Sequence, residues 1–135
     1  MASIRKEVAI DATPDHVWDA LRDVGQLHTR LVAGFVTDCR LDGDARVVTF
    51  ANGMVARELI VDVDDASRRV AWAAVGGRLT HHNASAQVVA SDGGTSRVVW
   101  IADLLPNEMA PAIAAMIEQG LGAMKRTLEG SARRA

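Results

Sequence analysis

Between Phe35 and Leu105 the chain is cut at short, regular intervals by residues that favour tight turns. Asp42-Gly43-Asp44, Asn52-Gly53, Asp64 to Ser67, Gly76-Gly77 and Asp92-Gly93-Gly94 separate segments with strand character at roughly 35–41, 45–51, 54–63, 69–75, 79–90 and 96–105. Asn52-Gly53 is the strongest of these signals, because both residues tolerate the positive φ of a hairpin turn. Connections this short require antiparallel neighbours, so the middle of the chain must be a meander.

The flanking segments supply what covers such a sheet. Residues 3 to 11 place Ile4, Val8 and Ile10 at even positions, the alternation of a half-buried strand, although Lys6 breaks it. Thr13 then offers an N-cap and Pro14 a first helical position. The helix they start runs to about Asp23 and buries Val17, Trp18 and Leu21; Gly25 ends it, and residues 26 to 32 can form a second short helix.

After Leu105 the period changes. Asn107 is placed to cap a helix, and Pro111 falls early enough to leave its hydrogen bonds intact. Ile113, Met116, Ile117, Leu121, Met124 and Leu128 recur at spacings of three and four, forming one apolar stripe. Lys125 and Arg126 suit the negative end of the helix dipole, and Gly130 can serve as a stop. The expected fold is therefore α+β, with residues 1–135 forming a single domain. A curved seven-stranded antiparallel sheet wraps around a long C-terminal helix, with two short helices after the first strand. Gly120 and Gly122 each cost about 1 kcal/mol relative to alanine inside a helix, which calls either for ligand space or for close helix-to-sheet packing.

Composition narrows the function classes. A formal net charge of −2, with basic residues scattered apart from Arg133-Arg134, gives no electrostatic case for nucleic acid. Cys39 is the sole cysteine, which excludes an internal disulfide and a cysteine-based metal cluster and reads as a buried inert thiol. No apolar segment approaches the roughly 20 residues that span a bilayer, and the first residues lack a signal-peptide core. The expectation is a cytoplasmic protein, a monomer or homodimer, without stable membrane insertion. Phosphate loops, dinucleotide glycine patterns, H-E-x-x-H and G-x-S-x-G are absent from the sequence, and no cofactor or metal is expected.

Several quoted segments, in their order, resemble a known group. They are Pro14 to Leu21, Arg57-Glu58-Leu59, Asp64-Asp65, Arg69-Val70-Ala71-Trp72, Gly93 to Trp100, and Leu105-Pro106 before the helix. Together they resemble the START/Bet v 1-like superfamily with its helix-grip fold, closest to the polyketide cyclase/dehydrase and lipid-transport proteins, over nearly the whole chain. Residues 58 to 83 are also similar to the plant abscisic acid receptors in Glu58, Asp64-Asp65, Trp72, Gly76-Gly77 and Asn83. The charged and tyrosine ligand contacts of those receptors have no counterparts, with Thr80 and Ala84 in two of the places, so hormone binding is not carried over. The resemblance implies a cavity for an apolar small molecule between sheet and C-terminal helix. It does not imply a reaction, since the superfamily contains binders, carriers and cyclases.

The candidate site residues divide by what places them. Plain alternation turns Val55, Leu59, Val61 and Val63 inward and Glu58 outward. The resemblance turns Ala56, Glu58 and Ile60 inward and Arg57 outward. A one-residue bulge satisfies both, because it flips the facing of everything beyond it; Glu58 is placed inside. Trp72 and Trp100 lie on apolar faces, as core residues that a cavity can share. Of His81 and His82 at most one points inward, which rules out a bidentate metal pair. Alternation with Leu79 selects His81 as a polar anchor or general base. His16 is expected on the helical surface and His28 near the cavity mouth. The expected binding set is Ala56, Glu58, Ile60, Trp72, Leu79, His81, Trp100, Met116, Gly120 and Met124, with Glu58 and His81 as catalytic candidates. Three functions compete: a carrier or sensor of an apolar or aromatic molecule, a polyketide cyclase or dehydratase, and a filled-cavity domain acting through a protein partner.

Overall fold

A computed structural model describes residues 2–134. The sheet comprises β1 (Ala2–Ile10), β2 (Val36–Asp42), β3 (Ala45–Phe50), β4 (Val55–Asp64), β5 (Arg69–Val75), β6 (His81–Ala90) and β7 (Ser96–Leu105). They form one seven-stranded sheet in the order β1-β7-β6-β5-β4-β3-β2, with every neighbouring pair antiparallel. The meander thus runs from β2 to β7, and β1 adds to its far edge along the full length of β7. Helix α1 (Pro14–Leu21) and a π-helical turn, Leu27–Leu31, connect β1 to β2. Helix α2 (Ala110–Arg134) lies on the concave face. This is the helix-grip fold. No helix among the described residues is long and apolar enough to cross a membrane.

Local chemistry sets most of these boundaries. Thr13 Oγ1 accepts the His16 N–H at 3.2 Å and Pro14 follows it, so α1 starts where its first free N–H groups find a partner. The Asn52-Gly53 turn closes with Gly53 at φ +88° and Asn52 Oδ1 accepting the Met54 N–H at 2.9 Å. At the next hairpin Asp64 accepts from the Ala66 N–H and the Ser67 hydroxyl. Asp65 instead reaches α1, where Trp18 Nε1 and Arg22 Nε both donate to its Oδ1 at 2.9 Å. The double aspartate is therefore a structural joint, one residue forming the turn and the other tying it to α1.

Three boundaries differ from expectation. Asn107 does not cap α2; it opens a 3₁₀ turn, Asn107–Met109, and the helix begins at Ala110 with Pro111 in its first turn. Gly130 does not stop α2, which continues to Arg134: Ser131, Ala132 and the arginines accept helical geometry, and Ser131 Oγ bonds back to the Leu128 carbonyl. The sixth strand begins at His81, so Leu79 belongs to the preceding loop.

The core lies between the concave face and α2, with Ile10, Val17, Val98, Leu104, Met124 and Leu128 at 1% exposure or less or just above it. Gly120 is what lets the helix sit so close: a Cβ there would stand 2.9 Å from Trp100 Cζ3 and 3.3 Å from Phe35 Cε2. Close packing, not open space, is the reason for this glycine.

Candidate functional site

Between α2, the Leu27–Val36 segment and the concave faces of β3 to β7 lies a cavity of about 140 Å³. It stays open because alanines (Ala56, Ala74 and Ala86) occupy wall positions where larger residues would fill it. The rest of the wall is largely apolar, from Val48, Val70, Met116 and Met124, among others, to an edge-to-face pair of Trp72 and Trp100 with ring centroids 5.6 Å apart.

One end of the cavity is polar. Register brings Arg46 on β3 directly opposite Glu58 on β4. Arg46 Nε donates to Glu58 Oε1 at 2.8 Å, with side-chain exposures of only 5% and 11%. Arg46 Nη1 also donates to the Val24 carbonyl at 3.2 Å, and the guanidinium carbon lies 5.3 Å from the Trp72 ring centroid. Beside this pair the ladder between β5 and β6 stops at Trp72–Ala84, although both strands continue. His82 fills the gap: its Nδ1 accepts the Ala74 N–H at 2.9 Å. An acceptor Nδ1 leaves Nε2 as the protonated nitrogen of a neutral ring. Burial pushes the His82 pKa below its ordinary value; the Glu58 carboxylate opposes that shift and His81 adds to it. The Trp100 indole N–H is buried without a hydrogen-bond partner among the described residues.

Register and burial sort the expected residues. Ala56, Glu58, Trp72, Leu79, Trp100, Met116 and Met124 all line the cavity. Ile60 shares their face, opposite Trp72, but packs at the edge of the core and not on the cavity wall. Gly120 is occupied by its contacts with Trp100 and Phe35. His81 is exposed, and His82 takes the inward place. The alternation argument failed because Leu79 precedes the strand, so its facing carries no parity into β6; the pairings His82–Leu104 and Ala84–Ala102 put the even positions inside.

The facing of β4 depends on the register slip between Ile60 and Asp62. Before it Glu58 faces in, while Val55 and Leu59 face out, 62% and 38% exposed. After it Val63 pairs with Val70, a cavity-lining residue, but is still 36% exposed, and Val61, expected inward by alternation, is 58% exposed. Arg46 was missed in the sequence: a two-residue Asn52-Gly53 turn would pair it with Leu59, and only the three-residue loop 51–53, closed by the Phe50 N–H on the Met54 carbonyl, sets it opposite Glu58. His28 is half-buried outside the lining, and His16 bonds Ser131 at 2.8 Å instead of lying free on the surface. The Cys39 thiol is buried, and burial pushes its pKa up.

Among solved structures, a START superfamily protein from Mycobacterium smegmatis is 11% identical, with a TM-score of 0.73 over 98% of this chain and 97% of that one. The di-domain ARO/CYC BexL of the BE-7585A biosynthetic pathway is 18% identical with a TM-score of 0.79, over 96% of this chain and 47% of that one. A norcoclaurine synthase point mutant from Thalictrum flavum, in complex with a transition-state analogue, is 18% identical with a TM-score of 0.73, over 98% and 94%. At these identities the likeness is one of fold. No curated protein matches the sequence. Residues 1–129 match the family described as polyketide cyclase / dehydrase and lipid transport, and the chain belongs to that family.

Proposed function

We propose that this protein is a carrier or sensor that holds an apolar or aromatic small molecule beneath α2. The observation that carries this reading is the cavity itself, largely apolar and closing at one end on a buried ion pair and a neutral histidine. A mostly apolar pocket with a few convergent polar groups is the usual form of a small-molecule site. An unfilled cavity also counts against a domain that acts only through its outer surface.

Native mass spectrometry of the purified chain, with thermal-shift measurements against fatty acids, sterols and aromatic polyketides, tests it. A co-purified mass or a saturable rise in Tm is expected. A clean ligand-free mass with no shift from any compound would refute it.

A second reading, a cyclase or dehydratase of polyketide type, is favoured by one observation: Glu58 and His82 both border the cavity. A carboxylate held by Arg46 and an imidazole with a fixed Nε2–H could accept and deliver protons on a folded chain. Turnover of a polyketide mimic that is lost in both Glu58→Gln and His82→Gln, with ligand binding retained, would select the enzyme over the carrier.

A further inference from the structure

We propose that the cavity selects a neutral molecule of one ring that carries an O–H or N–H donor, a phenol being the simplest, and rejects carboxylates of the same size. This rests on the reading of the cavity as a ligand site and gives that ligand a chemical class.

Size comes first. At about 140 Å³ the cavity is close to the roughly 150 Å³ apolar cavity known to hold one benzene. A second fused ring would have to extend toward the open side of the cavity, past Met54, or displace the wall. The edge-to-face Trp72 and Trp100 and the methionines Met116 and Met124 offer such a ring aromatic and polarisable contacts.

Charge comes second. A buried arginine beside an apolar cavity suits an anionic ligand only if its charge is free, and here it is not. Glu58 Oε1 takes its Nε, the Val24 carbonyl takes its Nη1, and Trp72 lies under its guanidinium. A ligand carboxylate would place a second anion beside Glu58 with one cation to share between them, in a site that water does not screen.

Hydrogen bonding comes third. An ionised carboxylate only accepts, and among the described residues the Glu58 carboxylate receives a single hydrogen bond, from Arg46. Its remaining acceptor capacity therefore asks for a donor on the ligand. His82, with Nδ1 committed to Ala74, brings its Nε2–H to the same wall. A hydroxyl both donates and accepts, so it meets both demands. A carboxylate meets only the second and brings the unwanted charge.

Titration calorimetry of the full chain at pH 7 with phenol, toluene, benzoate and 2-naphthol tests this. Phenol should bind about tenfold or more tighter than benzoate and measurably tighter than toluene. In Glu58→Gln the preference for phenol over benzoate should collapse, since the competing anion is gone. In His82→Asn, whose amide oxygen can still accept the Ala74 N–H, the ratio of phenol to toluene affinity should fall about threefold or more, which gives an answer even if Glu58→Gln folds poorly. Benzoate binding as tightly as phenol in the wild type, or 2-naphthol alone binding, overturns the inference and leaves the cavity reading standing. If none of the four binds and the larger compounds above also fail, both fall together.

Discussion

Replacing Arg46 by methionine tests the energetics of the site most directly. The guanidinium and the Glu58 carboxylate are almost fully shielded from water, so removing one ion strands the other in an apolar wall. Breaking a buried pair from one side costs about 3–5 kcal/mol, most of it the unpaired charge that remains. The variant also removes the donor to the Val24 carbonyl and the cation over Trp72. Against a typical stability of about 5–15 kcal/mol this is a large loss, and at about 3–5 °C per kcal/mol for a chain of this length it lowers Tm on the order of 10–20 °C. The double variant Arg46→Met with Glu58→Leu removes both charges together and should recover to within about 1–2 kcal/mol of wild type. Urea unfolding of wild type, both single variants and the double variant, followed by circular dichroism at pH 7, closes the cycle and isolates the pair. If Arg46→Met lies within 1 kcal/mol of wild type, or the double variant is no better than the worse single one, the pair is solvated and the argument for a dry polar end fails.

The two glycines of α2 predict opposite signs. Gly120→Ala drives a methyl against Trp100 and Phe35 and should cost about 1–3 kcal/mol despite better helix propensity, whereas Gly122→Ala meets only the flexible end of Arg126 at 3.4 Å and should gain up to about 1 kcal/mol. Thermal melts of the two variants decide it, and equal signs would contradict the packing described for Gly120. For His82 the folded pKa lies below the ordinary value of 6.5, so the unfolded chain binds more protons between the two values. Its contribution is complete above about pH 6.5 and is lost as pH falls from there through the folded value. Urea midpoints at pH 7.5 and 5.5 should therefore drop more in wild type than in His82→Asn, and parallel drops would remove His82 as the cause. Asp65 has a lowered pKa through its bonds from Arg22 and Trp18, so its contribution is present above the ordinary value of 3.8 and is lost as pH falls through the folded value. Asp65→Ala should flatten the acid limb of the stability profile below pH 4, and an unchanged limb would count against the joint to α1.

How much of this was legible from residues alone differs by the kind of signal. The meander was legible because glycine and asparagine turns are local and leave few alternatives: Gly53 adopts positive φ as expected, although the loop spans 51–53 and shifts the pairing by one residue from that of a two-residue turn. The facing of Glu58 was harder, since β4 carries apolar residues at both parities and only a bulge reconciles them; that slip sits between Ile60 and Asp62. The histidine was misplaced because parity was borrowed from Leu79, which lies outside the strand, and nothing local marks where β6 begins. Gly130 looked like a stop because glycine often ends helices, yet no residue after it forbids another turn. Gly120 was open between two causes, and only the distance to Trp100 separates them.

Four departures from ordinary packing meet in one place. Volume is left unfilled beside alanines; an ion pair is buried where apolar residues of similar size are often as stable or more so; a sheet ladder is interrupted and repaired by an imidazole; and an indole N–H goes unpaired. Elsewhere buried polar groups are mostly paired, with Ser96 Oγ donating to the Ala12 carbonyl at full burial and Lys125 joining the Ala9 carbonyl to Glu129, and His28 Nδ1 is the other buried side-chain atom without a partner among the described residues. A fold concerned only with stability would gain by filling the cavity and removing the charges. Local conflicts of this kind concentrate at functional sites, where stability is given up for a prearranged polar surface in a dry space. The clustering argues for the Arg46–Glu58–His82 end of the cavity as the place where a ligand is recognised. It also explains why hydrophobic pattern alone could find the wall but not the group that faces Glu58.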